Sequence, residues 1–225
     1  MAEVRVTLSA NAGVSIQIGK RCIWVDALHE DQQPGFSAVT PQLIAQMLEC
    51  EAFRKPDYIC ITHDHPDHYS RRLVARAWEL WPAAKLCLAK PIQVNDGNVA
   101  LEFIRLPHEG AQYADVAHYG ILISWDGKNI LIPGDCETAS PALAQAIGER
   151  QIDLAILNFP WVTLSKGRAF VTHQIKPKHI LVCHLPFEED DVNGFRKSAQ
   201  RSTGLLEDLD VRLLCEPLQT EIVNI

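Results

Sequence analysis

The sequence predicts an α/β fold in which two mixed β-sheets pack together with helices on the outside. Three observations predict it. Strand-like and helix-like segments come as a strand-rich block, a helix, a strand and a helix, and then a second round of the same; two packed sheets covered by helices bury such faces. Hydrophobic residues make up 47% of the 225 positions, enough for a sizeable core and too many for a disordered chain. No low-complexity tract, short repeat or clear linker interrupts the pattern. One domain over residues 1–225 is therefore expected, because a split near residue 110 would leave each half a thin core.

The elements follow in order. Met1 to Val6 alternates like a strand and lacks the charged leader and apolar block of a signal peptide. Val4–Leu8, Val14–Ile18 and Arg21–Val25 read as an antiparallel meander, with turns at Asn11-Ala12-Gly13 and Gly19-Lys20. A looser segment runs from Asp26 to Val39. Thr40 then offers an N-cap and Pro41 a first helical position, with Leu43, Ile44, Met47 and Leu48 at helical spacing. Strand 58–62 follows. Ser70 can cap a helix with Leu73, Val74, Ala77, Leu80 and Trp81 inward, which Pro82 ends. Lys85–Ala89 and Val99–Leu106 are strands, and Tyr119–Trp125 with Asn129–Ile132 forms a hairpin across Asp126-Gly127-Lys128. Ser140-Pro141 opens another helix. Ile152–Phe159 and Ile180–Cys183 are buried strands, a helix covers much of 191–209, weakened near Thr203-Gly204, and two short strands close the chain.

Composition narrows the function. A net charge of −7 argues against coating nucleic acid or an anionic membrane. No apolar run approaches the ~20 residues that span a bilayer. Seven cysteines, an odd number without a Cys-x-x-Cys, sit mostly in apolar runs. They read as buried reduced thiols of a cytoplasmic protein.

The stretch Thr62-His63-Asp64-His65-Pro66-Asp67-His68 carries the chemistry. It packs three histidines and two aspartates into seven residues directly after the apolar run Tyr58–Ile61. Imidazole and carboxylate together suit zinc, iron or manganese. His63 and His65 are two apart, so on an extended backbone both leave one face and can grip one ion. Pro66 biases His65 to the extended region. The chain then turns and aims Asp67 and His68 elsewhere, toward a second ion. Three further ligand-type residues, His108, Asp135 and His184, each follow a strand with a proline or glycine alongside.

On these residues the chain resembles the metallo-β-lactamase superfamily of metal-dependent hydrolases. Its His-x-His-x-Asp-His signature stands here as His63, His65, Asp67 and His68. The resemblance implies an αββα four-layer sandwich with a dinuclear site. His63, His65 and His108 would hold one ion, Asp67, His68 and His184 the other, and Asp135 would bridge them. His118 is the alternative third histidine. His108 lies twelve residues before Gly120, which leaves the loop relatives usually show there. Asp26, at the end of the third strand, also sits where relatives often carry an aspartate.

The cofactors so implied are two divalent ions, Zn²⁺ foremost, with Mn²⁺ or Fe²⁺ as alternatives. Zinc can lower the pKa of bound water from ~15.7 to ~7. Asp67 would be catalytic as well as ligating, orienting the attacking oxygen. Lys166 and Arg168, in the expected loop Val162–Arg168, are candidates for binding an anionic substrate group. His29 is a candidate for a substrate wall or else a surface histidine. Asp64 and Glu109 are candidates to support ligands, and Tyr69 either reaches the site or begins a helix. The expected activity is hydrolysis of a small ester, lactone or phosphodiester, resembling the ascorbate-phosphate lactonase branch. The expected partner is a small molecule, with no nucleic acid and no membrane, and a homo-oligomer left open. Two alternatives stand beside it. One is a nuclease using a basic track of Arg71, Arg72, Arg76, Lys176, Lys178, Arg196, Lys197 and Arg201. The other is a non-catalytic metal-binding module.

Overall fold

The computed structural model describes residues 2–30 and 33–225. Met1, in the expected first-strand pattern, and positions 31–32 of the looser segment lie outside the described residues. In chain order the elements are β1 (Glu3–Leu8), β2 (Val14–Ile18), β3 (Arg21–Val25), α1 (Pro41–Glu49), β4 (Tyr58–Cys60), α2 (Arg71–Leu80), β5 (Lys85–Cys87), β6 (Gln93–Asp96) and β7 (Val99–Arg105). There follow β8 (Tyr119–Trp125), β9 (Lys128–Ile132), α3 (Pro141–Ile147), β10 (Leu154–Asn158), α4 (Pro160–Thr163), α5 (Ser165–Phe170), β11 (His179–Cys183), α6 (Phe195–Thr203), β12 (Asp210–Leu213) and β13 (Thr220–Asn224). The residues cluster into two compact units. The first holds the chain up to Leu88, with Cys183–Arg196 and Leu214–Asn224; the second holds Ala89–Val182 and Lys197–Leu213, with Ile225.

The first unit carries a six-stranded sheet ordered β13-β1-β2-β3-β4-β5. It is antiparallel from β13 to β3 and parallel across β3, β4 and β5. Both helix starts follow the expected chemistry. The Thr40 hydroxyl accepts from the Leu43 N–H and the Ser70 hydroxyl from the Leu73 N–H. α1 buries Leu43 and Met47, and α2 buries Leu73, Val74 and Ala77. Leu80, expected inward, is 59% exposed. The helix stops there, and Trp81 leaves helical geometry (φ −129°) so that its ring meets Trp24 edge-on at 5.2 Å.

The second unit carries a seven-stranded sheet ordered β12-β11-β10-β9-β8-β7-β6. β6 to β9 are antiparallel, while β9 pairs β10, and β11 pairs β12, in parallel. The β8–β9 hairpin turns on Asp126 (φ 48°) and Gly127 (φ 79°), the left-handed pair that a tight two-residue turn requires. β6 is an unexpected half-exposed edge strand. The segment 162–168, expected as a loop, is helical on either side of an extended Leu164, and α5 runs into a π-turn over Val171–Ile175. Gly167 reads as a helix breaker but serves close packing, since a Cβ there would lie 2.7 Å from the Trp161 carbonyl oxygen.

Candidate metal centre

Five of the seven expected ligands lie in the first unit and converge. Beyond β4 the chain bends at Thr62 and forms no helix or strand up to His65, and His63 Nε2 lies 3.1 Å from His65 Nδ1. A tight turn at Pro66 closes as the N–H groups of His68 and Tyr69 both donate to the His65 carbonyl at 2.9 Å. After that turn the His68 ring packs against the His63 ring at 4.1 Å between centroids. His184, the residue after β11, sits in the left-handed region (φ 59°), and its N–H donates to the Asn11 carbonyl at 2.8 Å. Its Nε2 stands 3.2 Å from His68 Nε2 and 3.5 Å from Asp67 Oδ2. The Phe36 ring packs edge-on against it at 4.7 Å. Asp67, His68 and His184 each offer a ligand atom within 4.8 Å of the others.

Asp26 sets the protonation of two of these rings. It is buried, and its Oδ2 accepts from His68 Nδ1 at 2.9 Å and from the Thr62 hydroxyl at 2.5 Å, while Oδ1 accepts from the Thr62 N–H at 2.8 Å. A carboxylate only accepts, so His68 carries its proton on Nδ1 and Nε2 keeps its lone pair. The Thr62 hydroxyl gives its one hydrogen to Asp26, so it can only accept from His63 Nδ1, 2.9 Å away. His63 Nε2 is thereby also a lone pair. Two bare nitrogens, each within 3.2 Å of another imidazole nitrogen, fit a divalent cation and its usual carboxylate–histidine support. Asp26 also groups with His63 and His68 within the reach of one ion, but both of its oxygens already accept hydrogen bonds from Thr62 and His68.

The other two expected ligands lie in the second unit. His108 Nδ1 donates to the Glu109 carbonyl at 2.7 Å, and its Nε2 is 3.7 Å from Asp135 Oδ2. The Asn158 side-chain amide donates to Asp135 Oδ1. The strand-end loops are laced together by Glu109 N–H to the Asp135 carbonyl and Glu137 N–H to the Pro107 carbonyl. It is His108 that faces Asp135. His118 is fully buried, with Nδ1 3.3 Å from the Leu106 carbonyl. Burial pushes the neighbouring Cys136 thiol up to about 12, so it stays protonated beside these groups.

Several candidates are placed differently from expectation. His29 is no surface residue. Its ring is fully buried, Nε2 donates to the Ala10 carbonyl at 3.1 Å, and burial lowers its pKa to about 4. Arg168 does not overhang on a loop; its guanidinium donates to the Val162 and Thr163 carbonyls at 2.9 and 2.8 Å, bracing the end of α4. Lys166 pairs with Glu109 at 3.4 Å. Glu109 also accepts from the Thr138 N–H and hydroxyl. Burial opposes its charge, but these donors and Lys166 outweigh that and hold its pKa low. Asp64 is exposed. In the basic track, Arg72 pairs with Glu30, Lys178 with Asp153 and Arg196 with Glu216. Asn11, Thr62 and Asn158, which contact the ligands or Asp26, were not singled out by sequence.

No family model matches this sequence, and no curated protein does. Solved structures do. A metallo hydrolase from the hyperthermophilic archaeon Ignicoccus hospitalis is similar with a TM-score of 0.65 at 14% identity, over 99% of each chain. The metallo-β-lactamase fold protein YhfI from Bacillus subtilis is similar with a TM-score of 0.64 at 12% identity, over 99% of this chain and 100% of that one. This chain has the metallo-β-lactamase fold. Its two mixed sheets and flanking helices are those of the expected αββα class. The fold also occurs in CmlA, a diiron β-hydroxylase from Streptomyces venezuelae, with a TM-score of 0.59 at 10% identity, where 99% of this chain covers 54% of that longer one. The signature residues of this metallo-β-lactamase-fold chain lie at the loops following its strands.

Proposed function

We propose that the chain is a metal-dependent hydrolase that uses two divalent ions, zinc foremost, against a small ester, lactone or phosphodiester. The observation that carries the reading is the convergence of Asp67, His68 and His184, with the His68 and His63 tautomers fixed through Asp26. Asp67, His68 and His184 would hold one ion. His63 and His65 would contribute to the other. When bound, such ions supply Lewis acidity and lower the pKa of water. The protein's own part is to fix the His68 and His63 tautomers through Asp26 and Thr62, to set Asp67 Oδ2 beside His184 Nε2 and to hold Asp135 through Asn158. Lys166 remains the candidate contact for an anionic substrate group. A small substrate is supported by the pairing of Arg72, Lys178 and Arg196 with carboxylates, which leaves less bare positive charge for a polynucleotide.

The described residues include no helix long and apolar enough to cross a membrane, and all seven cysteines are free. Elemental analysis of protein purified without chelator, followed by lactone, phosphodiester and thioester panels, tests the reading. Bound zinc, manganese or iron together with turnover is expected, and turnover should fall in Asp67→Ala and His184→Ala. Protein that takes up no metal on equilibration with any of the three ions sinks it. Metal without turnover on any panel moves the choice to the non-catalytic module.

A further inference from the structure

We infer that Asn11 is a positioning residue that ties two of the metal ligands, Asp67 and His184, into one arrangement. The inference rests on the metal-binding reading above. Asn11 lies in the β1–β2 turn and is fully buried. Its side-chain Nδ2 is 3.3 Å from both Asp67 Oδ2 and the Asp67 carbonyl. Its own carbonyl accepts the His184 N–H at 2.8 Å. One residue thus holds a carboxylate ligand by its side chain and a histidine ligand by its backbone. These ligands are 117 positions apart in sequence, and Asp67 Oδ2 and His184 Nε2 stand 3.5 Å apart.

The choice of asparagine has physical reasons. The backbone there is left-handed (φ 52°), a conformation that asparagine tolerates better than most side chains. The amide supplies a donor to the Asp67 carboxylate, whereas an aspartate of the same shape would set two acceptors face to face. The turn is fixed on either side. Ser9 N–H donates to the Gly13 carbonyl and Gly13 N–H to the Ala10 carbonyl, both at 2.8 Å. At Gly13 a Cβ would lie 2.6 Å from the Asp26 carbonyl oxygen, so the turn sits tight against the residue that orients His68. With Nδ2 turned to Asp67, Asn11 Oδ1 is buried without a hydrogen-bond partner. Its orientation is therefore set by the Asp67 carboxylate and not by a demand of its own oxygen.

The test is cobalt(II) titration of chelator-stripped protein, read by the visible absorption of the bound ion, with thermal unfolding measured alongside. Asn11→Gly keeps the left-handed backbone accessible and removes only the amide. It should weaken cobalt binding by roughly 10–100-fold, as loss of groups supporting ligands does, and change the visible band while the apo protein stays folded. Asn11→Asp should not restore it. Wild-type affinity and band in Asn11→Gly, or in Asn11→Asp, overturns the inference. So does a loss of affinity that merely follows unfolding. If the wild-type protein itself takes up no cobalt, zinc or manganese, the metal reading fails and this inference with it; if wild type binds and Asn11→Gly binds equally, only this inference fails.

Discussion

If the proposed function is right, replacing Asp26 by asparagine should weaken metal binding through two histidines at once, His68 and His63. In the native arrangement Oδ1 accepts from the Thr62 N–H and Oδ2 from the Thr62 hydroxyl and His68 Nδ1. An amide has one acceptor and one donor group, so it cannot serve both sides. If its oxygen faces the Thr62 N–H, its NH₂ faces the other two. His68 Nδ1 must then accept, which moves the ring proton to Nε2, the atom aimed at His184 3.2 Å away. The Thr62 hydroxyl turns to accept from the amide and donates to His63 Nδ1, which moves that ring's proton to Nε2 as well. If the amide flips instead, its NH₂ confronts the Thr62 N–H, and a buried unsatisfied donor costs about 1–3 kcal/mol. That cost favours the first orientation, in which metal affinity should fall roughly 10–100-fold, about 1.4–2.7 kcal/mol.

The assay is competition between apo protein and a chromophoric chelator for zinc. Asp57→Asn is the control, because Asp57 is also a carboxylate of the first unit, bonded to Arg21 and the Cys22 N–H. It should leave the affinity unchanged. Wild-type zinc affinity in Asp26→Asn would refute the tautomer argument.

Thr62→Val breaks the relay to His63 but leaves the Asp26–His68 bond, so it should weaken zinc less than Asp26→Asn, and Thr62→Ser should restore it; equal losses in Val and Ser variants would count against the relay. His29 has a folded pKa of about 4 against 6.5 for the free side chain. Burying it neutral therefore costs stability only as pH falls below ~6.5, growing to about 3 kcal/mol near pH 4 and then levelling off. Urea unfolding of chelated protein should show His29→Gln, which can still donate to the Ala10 carbonyl, losing less stability than wild type between pH 6.5 and 4; parallel pH curves would contradict this. Lys166→Ala should raise the Michaelis constant for anionic substrates and leave neutral ones unchanged, and a uniform change for both would remove Lys166 from substrate binding. Gly167→Ala should destabilise the second unit by about 1–3 kcal/mol, since the added Cβ meets backbone at 2.7 Å; an unchanged melting temperature would show that α4 and α5 can part without cost.

The sequence made the candidate ligands legible because their chemistry is local and dense: His63, His65, Asp67 and His68 fall within six positions, and ligand-type residues at strand ends are readable wherever the strands are. It made the supporting residues hard to see. Asn11 reads as a turn former because turns favour asparagine for its backbone freedom, whatever its side chain then does. Thr62 reads as the end of a strand, and only a structure shows its hydroxyl between Asp26 and His63. The misread elements have equally physical causes. Gly167, in the segment expected as a loop, lies in α5 and lets helix and backbone approach. β6 is short and polar and alternates between exposed and half-buried, so its apolar signal is weak. Leu80 shares the helical phase of the buried residues, but the core it would reach is taken by Trp81 stepping out of the helix.

Backbone strain gives an independent reason to place function in the first unit's ligand cluster. Left-handed backbone at residues other than glycine is uncommon, and outside turns it persists where surrounding structure holds it. Among the described residues eight such positions occur, and Asn11 (φ 52°), Asp26 (φ 49°) and His184 (φ 59°) are three of them. Asp126 is explained by its hairpin. These three are bound to one another's surroundings: Asn11 accepts from His184, the Asp26 N–H donates to the Cys60 carbonyl at 3.0 Å, and Asp26 holds His68 opposite His184. A left-handed residue at the end of a strand bends the chain so that its side chain leaves the sheet direction, which is how Asp26 and His184 come to point at a common partner, His68. Folding alone could end β3 and β11 more cheaply with glycine, but glycine would carry neither carboxylate nor imidazole. The strain is therefore tied to those two side chains, and Asp26→Gly and His184→Gly should each raise apo stability in urea unfolding relative to the alanine variant at the same position, without any gain in zinc affinity.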